Sequence, residues 1–263
     1  MISREVWFDY DNRSGIRVNF MPVLKGLEIW ERYPDILACE REEEIPGITP
    51  GTFARGIVIR ENYVFSTGKG GVKSTGRGSY IGYNVIRCIP ELPLPSHTGH
   101  FTDAFVNDVR AVEIRGWEWT IEHNDFEVYS NYTPEGVKYN DGEGIMHEAW
   151  ENLDIRNSVL RNNTGNQYLC FWRVPVHNLL VENNRIRTKE GWHAIYVNSR
   201  ARFSGDSLVD LPASRVIIRN NTTEGGGIKL LGRGIGNRIV NNRHSLPART
   251  PIIDETGAVM KNN

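Results

Sequence analysis

Apolar positions along this chain do not recur with a helical period; they recur in a short frame of one aliphatic residue, two polar-tolerant positions and an asparagine. The frame reads Ile59-Arg-Glu-Asn62-Tyr-Val64, Ile81-Gly-Tyr-Asn84-Val-Ile86, Ile121-Glu-His-Asn124-Asp-Phe126, Val181-Glu-Asn-Asn184-Arg-Ile186, Ile218-Arg-Asn-Asn221-Thr-Thr223 and Ile239-Val-Asn-Asn242-Arg-His244. Ile155-Arg-Asn-Ser158-Val-Leu160 fits with serine in the asparagine column, and Ile29-Trp-Glu-Arg32 reads as a degenerate earlier copy. Successive columns lie about 20 to 40 residues apart, the spacing of solenoid repeats, with the variation between strands where insertions are tolerated. Asparagine suits a fixed corner because it tolerates a left-handed backbone and because stacked amides hydrogen-bond from one coil to the next.

A second strand-like block follows each corner: Gly71–Ser74, Ala104–Asn107, Gly144–His147, Leu169–Trp172, Ala194–Val197 and Gly227–Leu230. Stacked in register, these blocks form parallel sheets with a core column of Val72, Phe105, Ile145, Cys170, Ile195 and Ile228. β-Branched and aromatic runs such as Trp117–Phe126 reinforce the strand reading. The expected fold is all-β: a single-domain right-handed parallel β-helix solenoid of about seven to eight coils with little helix. An N-terminal segment or partial coil covers residues 1–23, the β-helix 24–245, and a C-terminal cap or tail 246–263.

The repeat pattern, over roughly Leu24 to Ser245, resembles the right-handed β-helix superfamily typified by pectate lyases, polygalacturonases and related polysaccharide lyases and hydrolases. The resemblance implies a carbohydrate-active protein and, for such a protein, a secreted or periplasmic location. The Asn-Thr-Asp, Asp-Asp and Gly-His-Gly signatures of polygalacturonase-like hydrolases and the Asp-Pro-His signature of alginate epimerases are absent, so no single family carries over.

Charge narrows the partner. With 31 basic and 32 acidic residues, the chain exerts no global attraction on nucleic acid or an anionic membrane, and a polysaccharide is the expected partner. No run approaches the ~18 apolar residues of a membrane span. Met1–Phe20 carries acidic residues where a signal peptide has its apolar core. Cys39, Cys88 and Cys170 lack metal or redox spacing and read as small buried hydrophobes. The repeat pattern does not fix an oligomeric state.

Loops and outward positions carry the candidate chemistry, since the repeated interior residues build only the coil. The longest insertions, Ile89–Thr102 and Ser130–Gly142, both precede the second block in consecutive coils and are expected to wall one side of a groove. The position just before each block reads Gly70, Asp103, Glu143, Tyr168, His193, Gly226, a column of ionisable groups about 5 Å apart. In a lyase, Tyr168 and His193 supply base and acid, while Asp103, Asp141 and Glu143 hold Ca²⁺ with carbonyls and water completing its shell. In a hydrolase, Asp103 and Glu143 do the acid/base work. His100, Trp192, Arg173, Tyr196 and Lys229 are the expected substrate-binding residues, along an outward strip that also takes in Lys73, Met146, Phe171, Glu148 and Asn198. Trp117-Glu-Trp119 is expected to pair one core ring with one exposed ring. The bland reading of the column is a solvated strand edge, and the corresponding non-catalytic alternative is a carbohydrate-binding or structural solenoid.

Overall fold

A computed structural model describes residues 14–18, 55–66, 70–88, 110–128, 143–148, 155–188, 192–202, 208–245 and 252–263. Every regular element among them is a β-strand. All strand pairings are parallel except the short hairpin of Arg200–Arg202 with Leu208–Asp210. The chain is thus all-β with parallel sheets, consistent with a β-solenoid. No helix of the described residues is long and apolar enough to cross a membrane.

The strands fall into three stacks. Sheet 1 runs through Ser14–Val18, the first halves of the long strands Gly70–Gly82 and Arg110–Glu122, then Glu143–Glu148, Tyr168–Trp172, His193–Asn198, Gly227–Leu231 and Ile252–Asp254. Sheet 2 takes Val58–Arg60, the second halves of the two long strands, Ile155–Arg161, Val176–Glu182, Ala213–Arg219, Arg238–Val240 and Val259–Lys261. Sheet 3 consists of Tyr63–Ser66, Val85–Cys88, Asp125–Val128, Thr164–Gly165, Arg185–Arg187, Thr222–Glu224 and Arg243–His244. The chain passes from sheet 1 to sheet 2, turns at an asparagine, and continues into sheet 3. Residues 252–263, where a cap or tail is expected, add one more strand to each of sheets 1 and 2.

The asparagine column explains how so polar an interior corner is tolerated. Each Nδ2 of Asn62, Asn84, Asn124, Asn163, Asn184, Asn221 and Asn242 donates to the Oδ1 of the next asparagine at 2.9–3.1 Å, ending on Asn263. From Asn84 onward, the same amide nitrogen also donates to a backbone carbonyl one coil back, as Asn163 does to Ile121. Each Oδ1 from Asn84 on further accepts the backbone N–H of the preceding asparagine in the column. Buried amides with every hydrogen placed offset the cost of their desolvation and add cohesion along the axis.

Two expectations about this corner need correction. Asn163, within Leu160-Arg-Asn-Asn163, fills the column rather than Ser158, which lies at the other corner and accepts the backbone N–H of Trp119. The left-handed residue is also not the ladder asparagine but the one before it: Glu61, Tyr83, His123, Asn162, Asn183, Asn220, Asn241 and Asn262 all have φ of 51–57°. A second left-handed column at the turn from sheet 1 to sheet 2 comprises Gly56, Gly78, Glu118, Asn157, Asn178, Arg215, Gly236 and Gly257. Ile155-Arg-Asn-Ser158 mimics the first corner because both corners pair a left-handed residue with an inward-turned partner.

The core column of sheet 1 is Val72, Val112, Ile145, Leu169, Ile195, Ile228 and Ile252. Val112 takes the place expected of Phe105, which lies outside the described residues, as does Ile29–Arg32. Leu169 replaces Cys170 because the strand pairing shifts register between Tyr168 and Leu169, and again between His193 and Ile195. Such bulges insert one residue and displace a frame read from sequence. Phe171 consequently points inward and is fully buried, and Cys88 and Cys170 are buried free thiols. Trp117 and Trp119 are both buried, so neither is the exposed ring expected. The Arg77 and Arg156 guanidiniums lie 5.5 and 4.5 Å from the Trp117 ring centre. The Trp119 indole N–H donates to the Arg115 carbonyl at 2.9 Å. The tight turn before Trp117 needs glycine at 116, where φ is 97° and a Cβ would collide with the Gly76 carbonyl.

Candidate functional site

Ladder spacing shows where the chain departs from its minimal coil. Steps of 21 or 22 residues separate most ladder neighbours, but Asn84–Asn124, Asn124–Asn163 and Asn184–Asn221 are 40, 39 and 37 apart. The extra residues fall in 89–109 and 129–142, which lead into sheet 1, and in 149–154 and 199–212, which lead out of it. In chain order the insertions therefore precede and follow the strands of sheet 1, and none falls between sheets 2 and 3 among these coils. A scaffold elaborated around one face marks that face as the candidate site.

Alternation outward from the core column brings Lys73, Glu113, Cys170, Tyr196 and Lys229 into one outward column. A neighbouring outward column holds Trp172, Asn198 and Leu231. Side chains from three successive strands meet here. Trp172 and Tyr196 pack edge to face with ring centres 5.5 Å apart, and His193 lies 5.3 Å from Tyr196. The Lys229 ammonium sits 5.3 Å from the Tyr196 ring centre, and the Arg173 guanidinium sits 5.2 Å from that of Trp172. At the entry edge, Tyr168 contacts Trp192 at 5.9 Å, and Trp192 is 36% exposed. Asn198, opposite Trp172 in register, keeps a buried Oδ1 with no hydrogen-bond donor. Aromatic faces, cations and a waiting acceptor form a surface suited to rings that carry hydroxyl and carboxylate groups.

Of the residues expected from sequence, Tyr168, Trp192, His193, Tyr196, Lys229 and Arg173 thus share one face. Glu143 pairs in register with Tyr168 and, on its other side, with Arg110. Arg110 occupies the column position assigned to Asp103, because the strand is built on the later small-apolar pair Ala111-Val112, and Gly227 that assigned to Gly226, because the register shifts between His193 and Ile195. His100, Asp103 and Asp141 lie outside the described residues. Among the described residues no three His, Cys, Asp or Glu side chains converge as a metal site. Trp172 and Glu113 were not singled out. Placing Leu169 inward would have turned Trp172 outward by simple alternation, whereas the small-apolar start of the Glu113 strand, Ala111-Val112, follows soon after the similar pair Ala104-Phe105 and is masked by it.

Glu113 organises the other end of the face. Its carboxylate accepts from Lys73 at 3.0 Å, Arg110 at 3.0 Å and Arg115 at 2.7 Å. Burial alone would raise its pKa, but Arg110, Lys73 and Arg115 together hold it down at about 2. Burial is also the main reason the Lys73 ammonium has a lowered pKa.

His193 is held neutral. Burial first, and the neighbouring Lys229 second, depress its pKa to about 4. An unfolded histidine takes up a proton near pH 6.5, so the contribution of His193 is complete above that pH and is lost as pH falls toward about 4. Melting temperatures measured between pH 7 and 4 are expected to fall less steeply in His193→Gln than in the parent.

No family model and no curated protein matches this chain. The functional reading therefore rests on the face itself.

Proposed function

We propose that this chain is a right-handed β-helix of about seven to eight coils, of the pectate-lyase-like superfamily, acting on an acidic polysaccharide laid across the outer face of sheet 1. The reaction is an elimination. The observation that carries this reading is the cluster of Trp172, Tyr196, His193, Trp192 and Tyr168 with Lys229 and Arg173, on the sheet whose strands the insertions precede and follow in the chain. Aromatic rings pack on sugar faces, and the two cations attract uronate carboxylates.

A base that works at neutral pH must be unprotonated there, and His193, with its pKa near 4, meets that condition. It removes the proton beside the uronate carboxylate, the carbon–oxygen bond to the leaving sugar breaks, and a carbon–carbon double bond forms. The Tyr168 phenol returns a proton to the departing oxygen, and Lys229 stabilises the charge that develops on the carboxylate. Asp103, Asp141 and Glu143 are the proposed ligands of a Ca²⁺ that would neutralise a substrate carboxylate. The proposed location is secreted or periplasmic.

Incubating the protein with uronate-containing and neutral polysaccharides, with Ca²⁺ or chelator, separates the possibilities. Ultraviolet absorbance of unsaturated ends is expected on a uronate polymer, and His193→Ala should lower its rate about a hundredfold or more. Reducing ends without unsaturation would instead assign the chemistry to Asp103 and Glu143 as a glycoside hydrolase. Absence of product on every polymer would leave a non-catalytic binding solenoid.

A further inference from the structure

The outer face of sheet 2 lies apart from the proposed groove and has two ordered columns. One is largely apolar: Val58, Tyr80, Thr120, Val159, Leu180, Ile217, Arg238 and Val259. Val159, Leu180 and Ile217 are partly exposed, and Val58 and Val259 are 61% and 59% exposed. The other column alternates in charge through Glu122, Arg161, Glu182 and Arg219 on four successive strands. Within the chain these pair as Arg161 with Glu122 and Arg219 with Glu182. The two carboxylates are 11% exposed, whereas the arginine side chains remain 43% and 48% exposed.

We propose that this face binds a second copy of the same chain, forming a two-fold dimer through sheet 2. The face is self-complementary. Consider a two-fold axis lying in the interface, parallel to the strands and midway between Ile155–Arg161 and Val176–Glu182. It reverses the order of strands and sets each column against itself, as an isologous interface requires. Arg161 then faces Glu182 of the second copy and Glu122 faces its Arg219, each pair occurring twice. Val159 faces Leu180, Thr120 faces Ile217, Val58 faces Val259, and Tyr80 meets Arg238 ring to cation. The like-charged pair in these columns, Arg60 with Lys261, falls at the extremities, where solvent and salt screen it. Moving the axis by half a strand spacing, onto Val176–Glu182, sets Glu182 against itself and Arg161 against Arg219, which specifies against that register. Eight strands at ~4.8 Å spacing give the face a length of roughly 34 Å. That length suits the ~800 Å² per partner of a standard interface. The polysaccharide face stays open in such a dimer.

Analytical ultracentrifugation of the full chain across a concentration series tests this. The parent protein is expected to sediment as a dimer that dissociates on dilution. Arg161→Glu and Glu182→Arg each place like charges together twice, and each should raise the dissociation constant at least about tenfold. An equimolar mixture of these two variants restores opposite charges at both places and is expected to form a heterodimer. Leu180→Arg should abolish association, with circular dichroism confirming that each variant is folded. A parent that stays monomeric at all concentrations overturns the proposal. So does a dimer that Leu180→Arg and both charge variants leave intact, or a variant mixture that remains monomeric.

Discussion

Asn163→Ala is expected to lower the free energy of unfolding by about 3–5 kcal/mol, measured by urea denaturation. The truncation strips four hydrogen bonds at once. The Asn124 side-chain and backbone N–H groups lose their shared acceptor, the Ile121 carbonyl loses its side-chain donor, and the Asn184 Oδ1 is left with only the backbone N–H of residue 163. Asn124, Asn163 and Asn184 are all buried, and each stranded group costs about 1–3 kcal/mol, partly offset by water entering the gap. Asn163→Asp separates acceptor from donor. A carboxylate still serves Asn124 but opposes the Ile121 carbonyl and the Asn184 Oδ1, so this variant should recover stability as the acid protonates. Asn162→Gly, one residue earlier, relieves a left-handed φ of 55° and should change stability by less than about 1 kcal/mol.

Glu113→Ala is expected to cost about 3–5 kcal/mol, the usual penalty for breaking a buried ion pair from one side. It withdraws one carboxylate from Lys73, Arg110 and Arg115, whose side chains are 19%, 13% and 6% exposed. The same network predicts acid lability. The Glu113 pKa is near 2 when folded against 4.5 for the free side chain, so its contribution is complete above about pH 4.5 and is lost as pH falls toward 2. His193 acts in the higher window between 6.5 and 4. Stability curves should therefore decline in two stages on acidification. Glu113→Gln is expected to remove the lower one and His193→Gln to shallow the upper.

The solenoid was legible in sequence because its most demanding feature is a side chain. An amide that must donate twice and accept twice in a buried corner admits almost no residue but asparagine, and six of its copies stand in plain register from Asn62 to Asn242. Backbone demands left a fainter mark. Glu61, Tyr83, His123 and Arg215 occupy left-handed positions without the glycine or asparagine that would announce them, so the position of strain was misplaced by one residue. The strand blocks of sheet 1 failed where bulges shift the register, at Tyr168/Leu169 and His193/Ile195, since a bulge inserts a residue without changing composition. That shift hid Trp172 and turned Phe171 outward in the reading. Tyr168, Trp192, His193, Tyr196 and Lys229 were found because they flank strands whose core residues were unmistakable. Glu113 was not, because its role depends on Lys73 from another coil and on Arg110 and Arg115 from its own strand.

Sheets 1 and 2 therefore divide the surface by chemistry. The first gathers rings and cations, the second alternates charge beside an apolar stripe.

The most direct test of the proposed role is calorimetric titration of a uronate oligosaccharide into the parent chain, Trp172→Ala, and Phe65→Ala on the exposed side of sheet 3. The account predicts that the parent and Phe65→Ala bind alike, while Trp172→Ala binds at least about tenfold more weakly. Absence of binding to the parent, or equal binding by Trp172→Ala, would contradict a polysaccharide site on the outer face of sheet 1.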